Sequence, residues 1–270
     1  ETHIDALSGL PSGRELQDKS GSPLIEAQNA LRAASGASAT SPLGRSGSPL
    51  AFIHKALQEL QQLNDKKVTK KVGSKQKVAI YGSARITKGR VYESTKTIAR
   101  KLAQLGFLII TGGGPGLMEA ANIGAREGGS PSIGLRIVLP HEKGINKAVN
   151  IPLIFEYFFT RKFSFGVFSD GCVCMRGGFG TFDELFEFVT LKDKGKLNNF
   201  PIILFGYDEL IPLFEDLQKN HFLAQPFSSV ISFNDSENKT VQQMHDALRA
   251  ARNNHNGYDR SIDIAFAERE

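Results

Sequence analysis

The sequence lacks tryptophan and has little sulfur, with three methionines and two cysteines among its 270 residues. Cys172 and Cys174 stand two positions apart in an apolar run, a spacing that gives no disulfide framework. On a strand the two side chains share one face, so small buried hydrophobic groups are the simpler interpretation. The shortage of cysteine indicates a reducing compartment, and we expect a cytoplasmic protein.

Long hydrophobic runs are also missing, since none approaches the ~18 apolar residues that a transmembrane helix needs. The six histidines show no ligand spacing. After His141-Glu142, Ile145 stands where a zinc protease would have its second histidine. The sequence therefore predicts a protein without a membrane partner and without a metal ion.

Two common nucleotide-binding motifs do not occur. A Walker A loop requires Gly-Lys-Ser or Gly-Lys-Thr, and the chain has neither. The dinucleotide fingerprint Gly-x-Gly-x-x-Gly fails at its sixth position, which is Glu119 when counted from Gly114 and Asp183 when counted from Gly178. NAD and FAD are therefore disfavoured, and we expect no cofactor.

A positive charge excess is present, with a formal net charge of +5 and a pI near 9.1. Six lysines fall within the twelve residues 66–77. Neither aromatic side chains nor arginines are interleaved there to stack on bases, so a solvated linker is favoured over a nucleic-acid contact.

The composition changes along the chain. Residues 1–48 are rich in Ser, Gly, Ala and Pro and are predicted to form a low-complexity, mostly disordered tail. Apolar residues at three- and four-residue steps predict an amphipathic helix over 49–63. This helix and the Lys-rich linker extend to residue 76, the folded domain covers 77–253, and residues 254–270 form a C-terminal tail.

Within the predicted domain, short apolar strands alternate with helices. Strands are expected at 78–81, 107–110, 133–139, 153–158, 171–175, 201–205 and 230–233. Helices are expected at 91–105, 116–127, 160–169, 181–193, 207–220 and 239–252. Almost wholly apolar strands in such an alternation indicate an α/β fold, in which helices cover a parallel sheet on both faces in three layers.

Three glycine-bearing loops follow strands of this sheet, at Gly82-Ser83, Gly112–Gly116 and Arg176–Thr181. Ligands of parallel sheets bind beyond the carboxyl ends of the strands, so the three loops are expected to share one rim. The third loop opens a helix, whose N–H groups and positive dipole end favour a phosphate. Two carboxylates, Glu184 and Glu187, follow directly behind it.

Glu184 has two interpretations. Thr181-Phe182-Asp183-Glu184 has the spacing of a capping box, which gives Glu184 a purely structural role. Arg161-Lys162 shifts the balance, since two cations in the first turn of a helix oppose its dipole and are better explained by an anionic ligand or transition state.

These residues resemble the LONELY GUY-like phosphoribohydrolases, which are often mislabelled lysine decarboxylases. Gly177–Glu184 is similar to the second half of the family motif PGGxGTxxE. The other shared marks are a strand ending in Gly82-Ser83, the Gly112–Met118 loop, and Arg161-Lys162 placed 23 residues before the glutamate. The resemblance covers roughly residues 76–245 and implies a Rossmann-like, doubly wound sheet.

The resemblance also implies a reaction, the hydrolysis of the N-glycosidic bond of a nucleoside 5′-monophosphate to free base and ribose 5-phosphate. AMP and cytokinin riboside 5′-monophosphates are the implied substrate types. The catalytic pair falls on Arg161 and Glu184. The implied substrate-binding residues are Gly177, Gly178, Gly180, Thr181, Lys162, Ser83, Gly114, Met118 and Glu187.

One departure from the family motif stands out, because Arg176 replaces its opening proline. Loss of proline should loosen the loop entry, and the arginine is expected either to contact phosphate or to project into solvent. Two alternatives stay open: a non-catalytic protein that binds a nucleotide or another phosphorylated ligand, and an amino-acid decarboxylase, for which Lys162 is the only candidate lysine. A homodimer or higher homo-oligomer is expected.

Overall fold

The computed structural model describes residues 49–139 and 144–253. The predicted tails, 1–48 and 254–270, lie outside the described residues, as does His141-Glu142. Residues Gln58–Gly257 form one compact unit, and the flanking residues belong to a second, of which the structure describes only 49–57. The domain boundaries proposed from composition remain a prediction.

Helix α1, Pro49–Gln61, ends in a 3-10 turn, Gln62–Asn64, close to the predicted span. The Lys-rich segment is not a linker, because it forms helix α2, Lys66–Val72. The side chain of Asp65 caps this helix by accepting a hydrogen bond from Lys67 N at 2.7 Å. Val68 and Val72 are buried one turn apart, which a count of lysines does not reveal.

Seven parallel strands form a single sheet in the order β4-β3-β2-β1-β5-β6-β7. Their bounds are Lys77–Tyr81 (β1), Leu108–Thr111 (β2), Ser132–Ile137 (β3), Ile151–Phe155 (β4), Gly171–Cys174 (β5), Ile202–Phe205 (β6) and Ser232–Asn234 (β7). All seven predicted strands are present. The fourth ends earlier than predicted, since Phe158 already begins a helix.

The remaining α-helices are Arg90–Gln104 (α3), Leu117–Glu127 (α4), Phe158–Phe168 (α5), Phe179–Asp193 (α6), Ile211–Lys219 (α7), Phe227–Val230 (α8) and Glu237–Asn253 (α9). A 3-10 turn, Asp208–Leu210, precedes α7. None of the described helices is both long enough and apolar enough to cross a bilayer.

The core consists of two clusters, one on each face of the sheet. One cluster joins alternate strand residues, such as Ala79 and Tyr81, to side chains of α2, α5, α6 and α7. The other joins Val78 and Ile80 to side chains of α3, α4 and α9. Two helical layers around a central sheet confirm the predicted three-layer α/β fold.

The strand order reverses between β1 and β5, which lie side by side at the centre of the sheet. At their carboxyl ends Tyr81 is paired with Cys174, so the loops that begin at Gly82 and Met175 leave the sheet together. This reversal is the point at which open α/β sheets bind ligands. Cys172 and Cys174 are fully buried free thiols on β5, as interpreted from their spacing.

Candidate active site

An ion pair between Arg161 and Glu184 lies at the centre of this rim. Arg161 is in the first turn of α5 and Glu184 is in α6, and Arg161 Nη2 donates a hydrogen bond of 2.6 Å to Glu184 Oε1. Both residues are only 9% exposed. Burial raises the pKa of Glu184 to about 7, while the neighbouring Arg161 acts in the opposite direction. The pair thus combines a carboxyl group whose pKa is close to neutral pH with the positively charged guanidinium of Arg161.

The capping-box interpretation of Glu184 is wrong. Helix α6 begins at Phe179, so its N-cap is Gly178, and Thr181 lies inside the first turn. The N-cap has no side-chain hydrogen bond. The Glu184 carboxylate instead reaches Arg161, across 23 residues of sequence.

Lys162 lies beside this pair without joining it. Its Nζ contacts Asp183 Oδ1 at 2.9 Å and Glu187 Oε2 at 3.0 Å. Burial lowers the pKa of Lys162, but the two hydrogen bonds outweigh it and the net shift is upward. A lysine that forms Schiff bases needs a lowered pKa, so this environment disfavours the decarboxylase alternative.

The loop between β5 and α6 is braced by Tyr207, a residue that the sequence analysis missed. Gly177 N donates to Tyr207 Oη at 2.7 Å, and Tyr207 Oη donates to Met175 O at 3.1 Å. Gly177 must be glycine, since a Cβ there would overlap the side chain of Thr181. The sequence did offer one indication, because Tyr207 comes just after β6. Since β6 is adjacent to β5, residues that follow the two strands are expected to lie close together.

Arg176 neither faces the candidate phosphate site nor projects freely into solvent, contrary to both expectations. Its Nη1 donates to Gly206 O at 2.6 Å and pairs with Glu209, and its guanidinium lies 5.2 Å from the centre of the Tyr207 ring. Arg176 O accepts a hydrogen bond from Ser83 N at 3.0 Å. These contacts hold the loop entry where the family motif has proline.

The first turn of α6 provides free backbone donors. Among the described residues, no hydrogen bond occupies the N–H groups of Gly178, Phe179 and Gly180. A Cβ added at Gly178 or Gly180 would meet no atom within 4 Å, so the space above this turn is open. The turn therefore combines unpaired donors, the positive end of a 15-residue helix and room for an anion.

The loop after β2 reaches Arg161 from the other side. Met118 Sδ lies over Gly112 and Met118 Cε over Gly114, each within 3 Å of where a Cβ would stand. Arg161 Nη1 lies 3.5 Å from the corresponding point at Gly112. Gly112 and Met118 thus lie on the Arg161 side of the rim, and Gly114 lies beside the end of the Met118 side chain.

Ser83 links the loops through its backbone. Besides its N–H bond to Arg176 O, Ser83 O accepts a hydrogen bond from Leu117 N at 2.9 Å. Its side-chain oxygen accepts from Arg85 N at 3.1 Å. Ser83 therefore joins all three glycine loops at the point where the strand order reverses.

Two buried polar atoms next to the pair lack hydrogen-bond partners within the described part of the chain, Arg161 Nε and Tyr81 Oη. Tyr81 ends β1, and its ring centre lies 5.0 Å from that of Phe165, which also lies beneath the Arg161 guanidinium. Burial raises the pKa of Tyr81 well above its ordinary value, so the hydroxyl is a neutral donor. The sequence analysis did not single out Tyr81.

An aromatic groove of about 920 Å³ opens beside Lys162 and Glu187, between α5, α6 and α7. Its apolar lining residues are Phe159, Phe179, Phe182, Phe186, Leu191, Leu210, Leu213 and Phe214. Neither Arg161 nor Glu184 lines it, so the groove adjoins the buried pair rather than containing it. Within the described ranges, no group of three or more His, Cys, Asp or Glu residues is arranged to hold a metal ion.

Comparison with known proteins gives one family match and one curated relative. The family model described as "Possible lysine decarboxylase" matches residues 118–244. The cytokinin riboside 5′-monophosphate phosphoribohydrolase LOG of Oryza sativa subsp. japonica is 24% identical over 163 residues. The match covers 57% of this chain and 66% of that protein, just under two thirds of its length.

Two solved structures share the fold. The Moco carrier protein of Chlamydomonas reinhardtii is 23% identical, with a TM-score of 0.50, over 66% of this chain and 99% of that one. The structural genomics target TM1055 is also 23% identical, with a TM-score of 0.50, over 63% of this chain and 99% of that one. At this identity the likeness concerns the fold alone.

The family match ends at residue 244 and includes Arg161, the loop at Gly177–Gly180 and Glu184. The curated relative carries the name of the same family. Over these residues the chain is therefore similar to the family whose model is described as a possible lysine decarboxylase, and to a LOG phosphoribohydrolase.

Proposed function

We propose that the protein hydrolyses the N-glycosidic bond of a nucleoside 5′-monophosphate and releases free base and ribose 5-phosphate. The observation that carries this proposal is the buried Arg161–Glu184 pair, set beside the unpaired N–H groups that open α6. The rice relative is named for this reaction on cytokinin riboside 5′-monophosphates. AMP and cytokinin ribotides are the substrate types that we propose for this chain.

Glu184 is the proposed catalytic carboxylate. As the bond between C1′ and the base nitrogen breaks, positive charge develops on the sugar ring, and an ionised carboxylate stabilises it. A water oxygen then bonds to C1′, and a proton from that water is transferred to the nitrogen of the departing base. Arg161 keeps Glu184 in place and favours its ionised form, which burial alone would suppress.

The 5′-phosphate is proposed to sit on the first turn of α6. Gly178 and Gly180 offer N–H groups there and Thr181 offers its hydroxyl, while the N–H of Gly177 is already used by Tyr207. Gly177 therefore contributes by allowing the close packing of Thr181 rather than by donating to phosphate. We assign Lys162 and Glu187 to the entrance of the site, and Ser83, Gly114 and Met118 to its opposite wall.

A homodimer or larger homo-oligomer is part of the proposal. Large apolar side chains are exposed on α5, α6 and α7, namely Phe158, Phe159, Phe163, Phe179, Phe186 and Leu213. Apolar surface concentrated on adjoining helices is typical of a protein interface. We also propose a cytoplasmic enzyme that uses neither nucleic acid nor membrane as a partner.

The test is a product assay on the purified chain with AMP, GMP, CMP, UMP and a cytokinin riboside 5′-monophosphate. Chromatography with mass detection should find free base and ribose 5-phosphate in equal amounts for at least one nucleotide. Tight nucleotide binding without base release would favour the non-catalytic alternative. Release of phosphate with intact nucleoside would show a different reaction.

A further inference from the structure

The helix that carries Arg161 has an unusual beginning. Helix α5 has Tyr157 as its N-cap and no side-chain cap from that residue. Arg161 and Lys162 are its fourth and fifth residues, so two cations lie close to the positive end of the helix dipole. An isolated helix with this sequence would start poorly, so the position of Arg161 requires support from elsewhere in the fold.

That support comes from Glu59, near the end of α1 and about 100 residues upstream. Glu59 Oε1 accepts a hydrogen bond from Glu156 N at 2.7 Å, and Oε2 accepts one from Tyr157 N at 3.4 Å. The same oxygen accepts a hydrogen bond from the hydroxyl of Thr160. Glu59 is only 7% exposed. Its carboxylate thus caps α5 from outside and places a negative charge at the dipole's positive end.

A neighbouring residue fixes this arrangement. The side-chain amide of Gln62 bonds to both backbone groups of Ile154, with Nε2 donating to Ile154 O at 2.6 Å and Oε1 accepting from Ile154 N at 2.8 Å. Ile154 lies in β4, the edge strand that leads into α5. The segment 59–62 is therefore attached to both the strand and the helix around the turn that precedes Arg161.

We propose that Glu59 is a positioning residue, which holds the first turn of α5 so that Arg161 stays within hydrogen-bond distance of Glu184. Thr160, a direct partner of Glu59, is adjacent to Arg161 in sequence, and Arg161 N itself bonds to Tyr157 O at 3.3 Å. Glu59 lies outside residues 118–244, which the family model matches. Its catalytic consequence rests on the proposed function, but its effect on the Arg161–Glu184 pair does not.

The variants are Glu59→Ala, which removes the cap, and Glu59→Gln, which keeps one acceptor oxygen and removes the charge. A matched control is Glu237→Ala, since Glu237 also joins two helices, accepting from Ser94 Oγ at 2.6 Å, but on the opposite face of the sheet. The first readout is the pKa of Glu184, which is measured by an NMR titration of protein with ¹³C-labelled glutamate carboxyl groups. Displacement of Arg161 should raise this pKa above the wild-type value in Glu59→Ala, less so in Glu59→Gln, and not in the control.

The second readout is base release from AMP at constant pH. A displacement of ~1 Å can cost about 100-fold in rate, so we expect kcat to fall about 10- to 100-fold in Glu59→Ala, with partial recovery in Glu59→Gln and little change in KM. Melting temperatures identify any variant that is simply unfolded. If Glu59→Ala remains folded and keeps the wild-type Glu184 pKa, the positioning role is refuted. If the wild type releases no base, the proposed function fails while the pKa comparison still decides the role of Glu59.

Discussion

At the scale of single residues, the chemistry depends on the protonation of Glu184. Its pKa is raised from 4.5 to about 7, first by burial, with Arg161 as the opposing influence. A pKa near the working pH suits a group that must be ionised when charge develops on the sugar and that also exchanges protons with water.

This raised pKa predicts the pH dependence of the reaction. Because the ionised carboxylate is the active form, kcat/KM should fall as the pH drops below about 7 and level off above it. Steady-state rates with AMP between about pH 4 and 9 measure this limb. A limb centred near 4.5, the ordinary value for a glutamic acid, would show that Glu184 is not the titrating group.

Tyr207 yields a second prediction at this scale. Tyr207→Phe keeps the ring under Arg176 but removes the hydroxyl that bonds Gly177 N and Met175 O. Each lost hydrogen bond is worth about 1 kcal/mol, so KM for AMP should rise roughly 5- to 30-fold.

Adenosine, which has no 5′-phosphate, is the control substrate for Tyr207→Phe. Its kcat/KM should change far less, because the proposed role of the altered loop is to hold the phosphate. Equal losses with both substrates would mean that Tyr207 acts on the fold as a whole rather than on the phosphate loop.

At the scale of elements, local pattern predicted most strands and helices but not how their ends are held. Most of the strands are nearly continuous apolar runs, so they stand out from the neighbouring glycine-containing loops. Helix α2 was missed because its two buried valines are a weak signal among lysines. The start of α6 was misplaced because Thr181 and Glu184 fit a capping box, and the competing partner, Arg161, is distant in sequence.

The same limit applies to the site. Glycine loops at strand ends and the Arg161-Lys162 pair are local features, and they carried the prediction. Glu59 and Tyr207 act through contacts that span about 100 and 30 residues of sequence. No local motif in the sequence around either residue indicates these contacts. Such contacts become visible only when the topology brings the segments together.

The phosphate loop offers a paired test of element geometry. Gly177→Ala should destabilise the protein by about 1–3 kcal/mol, since the added methyl group overlaps Thr181 and the loop must distort. Gly178→Ala is the matched control, because a methyl group there meets no protein atom within 4 Å and its φ is −108°.

Thermal and urea unfolding of the two alanine variants measure this difference. Gly178→Ala should unfold like the wild type yet bind ribose 5-phosphate more weakly in calorimetry, because its methyl group points into the proposed phosphate seat. Unchanged affinity in Gly178→Ala would contradict the seat. Equal stability of the two variants would contradict the packing argument.

At the scale of the whole molecule, the sheet order determines where the site forms. The reversal between β1 and β5 opens a crevice on the central strands, and the helices on its two sides belong to opposite layers. Arg161 comes from the connection between β4 and β5, which crosses from one edge of the sheet to its centre. The site is thus assembled from segments that only this topology brings together.

The exposed apolar residues predict assembly at this scale. Phe186 is 43% exposed in the aromatic groove, and Phe186→Lys should shift the protein towards the monomer in light scattering coupled to size-exclusion chromatography. Leu105→Lys is the control, since Leu105 is 49% exposed at the end of α3. A wild-type monomer, or an unchanged mass in Phe186→Lys, would contradict an interface on this groove.

The most direct test of the central claim compares AMP cleavage by the wild type and by Glu184→Gln, which has the same shape but cannot ionise. Liquid chromatography with mass detection quantifies adenine and ribose 5-phosphate, and calorimetry measures ribose 5-phosphate binding. The wild type should release both products in equal amounts, and Glu184→Gln should lose about 100-fold or more in kcat while still binding ribose 5-phosphate. Equal adenine release by the two proteins, or none by a wild type that binds ribose 5-phosphate, would contradict the account.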